Sequence, residues 1–220
     1  MNNESDTNGA LSDNEIIGRI VKGEKDLYAL LVRRYNQRLY RVGMSILKDD
    51  TAVEDAMQVA YINAYENLSG FGFKSSFGTW LTRILINECL LHLKKKKRRL
   101  VMNAEILTSI KYQQLTADTQ TPMKNVLNSE LKTLLEEAIF ALPEKYRTVF
   151  IMREMENMNV AETQACLHIS EVNVKVRLNR AKALLRNSLG SYYKKEELLH
   201  FHLTRCDRMV ERVMKHIEQL

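Results

Sequence analysis

Apolar residues recur at three- and four-residue spacing along most of this chain, and clean two-residue alternation is scarce. That period predicts helices rather than strands. A short helix is expected from Asp13 to Gly23 around Ile16, Ile17 and Ile20, then a long one from Glu24 to Leu47 with Leu27, Leu30, Leu31, Tyr35 and Val42 inward. Lys48-Asp49-Asp50-Thr51 breaks the pattern and offers a cap for a helix over 51–68, whose inward stripe is Val53, Met57, Ala60, Ala64 and Leu68. After a glycine-aromatic loop, Ser76 can cap a helix running from Phe77 towards Lys97, where Trp80, Ile84, Asn87 and Leu91 share a face. The pattern weakens from Arg98 and restarts from Asn128 to Ala141 through Leu131, Leu134, Leu135 and Ala138. Pro143 suits the first turn of the next helix, which reaches Met155 and buries Tyr146, Val149, Phe150 and Met152.

The most distinctive pattern follows. Val160 to Leu167 reads as a short helix and His168-Ile169-Ser170 as a turn whose serine caps a second helix. Val174, Leu178, Ala181 and Leu185 form its packed stripe, while Asn173, Val176, Asn179 and Arg180 point the other way and Lys175 and Arg177 flank them. A helix held by one face and offering amides and cations on the other suits a DNA major groove, so this pair predicts a helix-turn-helix. Beyond Gly190, Leu203, Cys206, Met209, Val210, Val213 and Ile217 give the stripe of a further helix.

Composition changes the picture in two places. Only two prolines occur, and no glycine lies between Gly78 and Gly190, which supports helices throughout. The formal net charge of +6 is modest, but Lys94 to Arg99 is one basic block and Lys175 to Arg186 a second, as a polyanion held at two places requires. Thr116 to Pro122 has turn formers and no apolar face, so it reads as a flexible linker. The expected architecture is all-α: two small helical domains, 13–97 and 128–190, joined by a flexible linker, 98–127. A disordered N-terminus, 1–12, precedes them and a C-terminal helical extension, 191–220, follows.

Candidate sites come from residues that the packing stripes do not use. Asp55, Gln58, Val59 and Ile62 share the outward face of the 51–68 helix, where the aliphatics suit a protein partner or are scattered surface residues. Phe71 and Phe73 beside Lys74 suit stacking on unpaired bases, or the rings tuck back onto their own domain. Cys89, Cys166 and Cys206 form no CxxC pair and read as inert thiols of a reducing cytosol. His200, His202, Cys206 and His216 lack metal-ligand spacing. The polar, acidic N-terminus resembles no secretion signal, and no run approaches the ~20 apolar residues that span a bilayer. A cytoplasmic protein with no membrane insertion, no cofactor and no metal is expected.

With both halves in view, the sequence resembles an extracytoplasmic-function (ECF) sigma factor of bacterial RNA polymerase, within the sigma-70 family. VEDAMQVAYINAY resembles the core-polymerase-binding segment, FGFKSSFGTWLTRILIN the strand-opening and −10 segments, and ALPEKYRTVFIMRE with ISEVNVKVRLNRAKALLR the −35-reading segment. Four positions depart from the family pattern or qualify it. Leu91 stands where an acid is frequent, and Lys94 fills the basic place three further on. Gln164 stands where alanine is common and His168 where glycine is common.

The resemblance implies a non-enzymatic initiation factor. Asp55, Gln58, Val59 and Ile62 would dock on the coiled coil of the polymerase β′ subunit, with β as a further contact. Phe71, Phe73, Lys74, Trp80, Asn87, Lys94 and Lys95 would take the −10 strand. Ser170, Glu171, Asn173, Lys175, Arg177 and Arg180 would meet the −35 element. Promoter DNA and core RNA polymerase are the implied partners, and an anti-sigma factor is a further candidate. The alternative is a helix-turn-helix regulator that binds DNA without polymerase. For an enzyme acting on nucleic acid, no metal cluster, phosphate loop or nucleophile elbow is found.

Overall fold

The computed structural model describes residues 11–104, 126–192, 208–212 and 214–215, and every described element is helical. The order is α1 (Asp13–Val21), α2 (Tyr28–Leu47), α3 (Asp50–Glu66), α4 (Phe77–Ala104), α5 (Val126–Ala141), α6 (Glu144–Phe150), α7 (Val160–Leu167) and α8 (Glu171–Tyr192). A wide π turn, Ile151–Met155, extends α6. No described helix is long and apolar enough to cross a membrane.

Local chemistry sets the helix ends. Ser12 and Glu15 form a reciprocal capping box at α1, which satisfies two otherwise unpartnered amides. Asn159 and Glu162 repeat the device at α7. Lys48 takes a left-handed conformation (φ 54°) to end α2, and the next residue, Asp49, accepts from the Ala52 amide at 2.9 Å to start α3. The α2–α3 elbow is therefore only two residues long. There the helices approach so closely that a Cβ on Gly43 would lie 2.8 Å from Val53 Cγ1.

In the first domain α1 to α4 bury Ile16, Ile17, Leu31, Leu39, Val42, Val53, Ala60, Phe77, Leu81 and Leu85 together. In the second, Ala138, Ile139, Leu142, Val149, Met152, Cys166, Val174, Ala181 and Leu185 are buried across α5 to α8. Some expected inward positions lie elsewhere. Leu30 is 39% exposed and Leu135 41%; Leu31, beside the first, takes the core place instead. The buried stripe of α4 is Leu81, Leu85, Ile86 and Cys89, so Asn87 and Leu91 face outward and Trp80 and Ile84 are half-buried. Tyr146 and Phe150 are likewise only half-buried. Helix α4 also continues through Arg98 to Ala104, inside the stretch expected to be linker. Val126 and Leu127 at the other end of that stretch already belong to α5; residues 105–125 and His200, His202, Cys206 and His216 lie outside the described residues.

The two domains are packed together: one cluster of buried apolar side chains runs through both, and polar contacts cross the seam beside it. Arg147, only 3% exposed, donates to the backbone carbonyls of Ser45 (2.7 Å), Phe140 (2.9 Å) and Leu142 (2.8 Å), so a buried cation finds acceptors from both domains. Ser45 Oγ donates to Thr148 Oγ1 at 3.1 Å, and Lys48 Nζ to the Phe140 carbonyl at 2.6 Å. Glu156, placed by the π turn, pairs with Arg41 at 3.0 Å and Arg38 at 3.5 Å. Thr79 donates to Glu162 at 3.0 Å, and Cys166 to the Thr79 carbonyl at 3.3 Å.

Candidate promoter and polymerase interfaces

Helix α3 presents the first candidate surface. Its inner side is filled by Val53, Ala56, Ala60 and Ala64, which leaves Asp55, Gln58, Val59 and Ile62 on the outside. Spacing of three, four and seven residues makes these four neighbours on one face. Val59 is 43% and Ile62 50% exposed, so the aliphatics lie between an acid and an amide and no stripe among the described residues covers them.

The second surface surrounds the glycine-aromatic loop. Phe71 and Phe73 separate in role. Phe71 is 6% exposed and meets Trp80 at 5.0 Å and Phe73 at 4.8 Å in tilted contacts and Phe77 edge-to-face at 5.9 Å. Phe71 thus anchors the loop and offers only its edge to the open pocket beside it. Phe73 has a left-handed backbone (φ 53°) and is 54% exposed, so its ring is the one available for stacking. Ser76 caps α4 by accepting from the Thr79 amide at 3.2 Å.

Between loop and helix lies an open pocket of about 450 Å³, lined by Phe71, Lys74, Trp80, Arg83 and, from α7, Ala165. An aromatic floor with two cations at the rim suits a flat, anionic-backbone ligand such as an unpaired nucleotide. Arg83 was not singled out from the sequence, although its place one turn after Trp80 on a basic helix is a readable signal. Further along α4, Asn87 lines a smaller pocket of about 160 Å³ in the crease between the domains, opposite His168 and Arg177. Lys94 and Lys95 are exposed beyond it.

Helix α8 is the third surface. The expected turn is present: His168 adopts φ 52°, ψ 43°, a conformation that histidine tolerates better than β-branched residues. Ser170 Oγ accepts from the Asn173 amide at 3.3 Å, so its hydroxyl serves as the cap. Asn173, Lys175 and Arg180 are exposed. Glu171 pairs with Lys175 at 2.6 Å, and that hydrogen bond holds its carboxyl below the ordinary carboxylate value. Arg180 donates to Tyr146 Oη at 3.2 Å. Arg177 is half-buried in the crease, so it does not share the open face of Asn173 and Arg180 in this arrangement. The thiols of Cys89 and Cys166 are both pushed up to about 12 by burial, which keeps them protonated near neutrality.

An all-helical pair of domains, one with an aromatic pocket beside a basic helix and one with a helix-turn-helix, defines a protein built to meet DNA at two places. Residues 31–99 match the family described as Sigma-70 region 2, and residues 132–185 match Sigma-70, region 4. The chain is 32% identical over 176 residues to the ECF RNA polymerase sigma factor SigW of Bacillus subtilis, covering 79% of this chain and 94% of that protein. It is 28% identical over 180 residues to the RNA polymerase sigma-H factor of Pseudomonas aeruginosa, covering 80% and 93%. Two solved structures share the fold. One is RpoE bound to the anti-sigma factor NepR from Bartonella quintana, with TM-score 0.58, 18% identity, and 74% of this chain and 96% of that one covered. The other is CnrH with the cytosolic domain of CnrY, with TM-score 0.54, 22% identity, and 80% and 96% covered. The chain belongs to the ECF sigma factors of the sigma-70 family.

Proposed function

We propose that this chain binds core RNA polymerase and directs it to promoters, reading a −35 element with α8 and opening a −10 element at the Phe73–Trp80 pocket. Membership of the ECF sigma factors carries the reading, with the region 2 and region 4 matches in one chain. The three surfaces divide the work. The Asp55, Gln58, Val59 and Ile62 face docks on the β′ coiled coil. Phe73, Lys74, Trp80 and Arg83 receive a base turned out of the −10 strand, at a few kcal/mol for unstacking. Asn87 lies further along the same helix, and Lys94 and Lys95 hold phosphates beyond it. Asn173, Lys175 and Arg180 meet the −35 groove while Val174, Ala181 and Leu185 hold the helix in place.

The domain packing supports one addition. Asn87 and Arg177 line the same crease and Ala165 sits at the −10 pocket, so promoter binding requires the domains to separate. The work takes place in the cytoplasm, where polymerase and promoters are, and it involves no catalysis by this chain. A partner that clamps the packed arrangement, of the anti-sigma kind, fits the same geometry.

The test is in vitro transcription with core polymerase on a genomic template pool, with and without this protein. Discrete new start sites are expected only when both are present. Promoter binding by the chain alone, unaffected by polymerase, would favour the helix-turn-helix regulator instead.

A further inference from the structure

We infer that Val172 and Val176 read thymine methyl groups in the −35 major groove; this rests on the reading of α8 as the −35 helix. The two valines are 68% and 40% exposed, and Val172 is the most open large apolar side chain of the described residues. Their direction is fixed by the fully buried Val174. At 100° per residue, positions two before and two after Val174 each lie about 200° round the helix, within roughly 20° of straight outward. Ala183, also exposed, falls on that same line. Asn173 and Arg180 run along one side of the line, and Lys175 and Asn179 along the other.

Val172 and Val176 therefore occupy the centre of the face that would enter the groove, with hydrogen-bonding and cationic groups on both flanks. Valine is a poorer helix former than alanine, leucine or lysine because its branched Cβ restricts χ1 in the preceding turn. Two exposed valines in the first turns of α8 therefore cost helix stability while filling no core position among the described residues. Helix α8 carries Lys175, Arg177, Arg180, Lys182 and Arg186 against Glu171 alone, which favours duplex DNA over an apolar protein surface as the occupant.

Valine has no donor or acceptor. The feature that a base pair offers it in the major groove is the thymine C5 methyl. Side chains four apart on a helix have Cβ atoms about 6 Å apart, close to two base steps of about 3.4 Å. The inference is therefore two thymines, one or two steps apart, each seated on one valine.

Holoenzyme would first select a −35 sequence from a randomised promoter library. Each thymidine of the selected element is then replaced singly by 2′-deoxyuridine, which removes the methyl and keeps every hydrogen-bonding group. Wild-type holoenzyme should lose about 3- to 5-fold in affinity at one or two positions, the weight of a methyl-sized group. Val172→Ala and Val176→Ala should each abolish the loss at its own position, and alanine preserves the helix. Core-polymerase affinity, measured in parallel, should not change. Equal binding of thymidine and deoxyuridine templates at every position would overturn the inference, as would a full thymine preference in both variants. If Arg180→Ala still weakens −35 protection in that case, the reading of α8 survives and only the methyl contact fails. If Arg180→Ala is also silent, or no −35 preference emerges from selection, both fail.

Discussion

Replacing Glu156 by glutamine should loosen the seam between the domains without disturbing either core. The carboxylate is 8% exposed, and its two partners, Arg38 and Arg41, are 29% and 39% exposed. A unit-charge pair near 4 Å is worth about 4 kcal/mol at an effective dielectric of about 20. Desolvating the carboxylate takes back most of that, and the partly hydrated arginines reduce it further, which leaves a net of about 1–2 kcal/mol. Glutamine keeps the shape and a weaker, neutral hydrogen bond. A loss of about 1.5 kcal/mol moves the packed-to-separated ratio roughly tenfold. Urea unfolding followed by circular dichroism and by Trp80, the one tryptophan of the chain, measures it. With an m-value of about 2 kcal/mol/M the midpoint should fall by about 0.7 M. The substitution should matter less in 1 M salt, where the Debye length is about 3 Å. A double-mutant cycle with Arg41→Ala isolates the pair. Additivity within about 0.3 kcal/mol would refute the argument.

Three further outcomes are expected. Gly43→Val forces a side chain into the α2–α3 contact, where even a Cβ would meet Val53 at 2.8 Å; overpacking of about 1–3 kcal/mol should lower Tm by at least ~3 °C, and an unchanged melting curve would count against the close approach. Cys89 and Cys166, with thiols pushed up to about 12, are protonated at pH 8 and gain reactivity only when alkalinity or unfolding frees the thiolate. Mass spectrometry after brief alkylation should find both unmodified in the native chain and labelled in urea. Arg83→Ala should slow permanganate-detected strand opening several-fold and leave −35 protection unchanged; equal slowing of both steps would remove Arg83 from the −10 pocket.

Much of this molecule was legible in its periodicity. The helix-turn-helix is present as expected, including the Ser170 cap and the left-handed His168, because local rules decide those features: a capping hydroxyl, a turn conformation and a stripe at helical spacing. Leu30 and Leu31 show where such rules stop. Adjacent leucines both fit an inward stripe, and only packing against the neighbouring helices chooses between them. Phe71 and Phe73 are the same residue type two apart, yet a φ of 53° at the second sends one ring inward and the other to solvent. Nothing local predicts the seam. Arg38, Arg41 and Ser45 meet Arg147 and Glu156 across more than a hundred residues, and each reads in isolation as an ordinary surface side chain. Arg177 flanks the outward face of its helix on the wheel, and the crease against the first domain is what half-buries it.

The π turn at Ile151–Met155 ties two of these features to a single count of residues. The Glu156 amide bonds back five residues to the Ile151 carbonyl at 3.0 Å, where an α-helix would bond back four. Deleting one residue within the turn would restore the α pattern and carry Glu156 about 100° round the axis, away from both arginines. Met152, upstream of most such deletions, would stay in its core. The Glu156 part of the grip between the domains is thus a matter of phase, set by the one extra residue in a single turn.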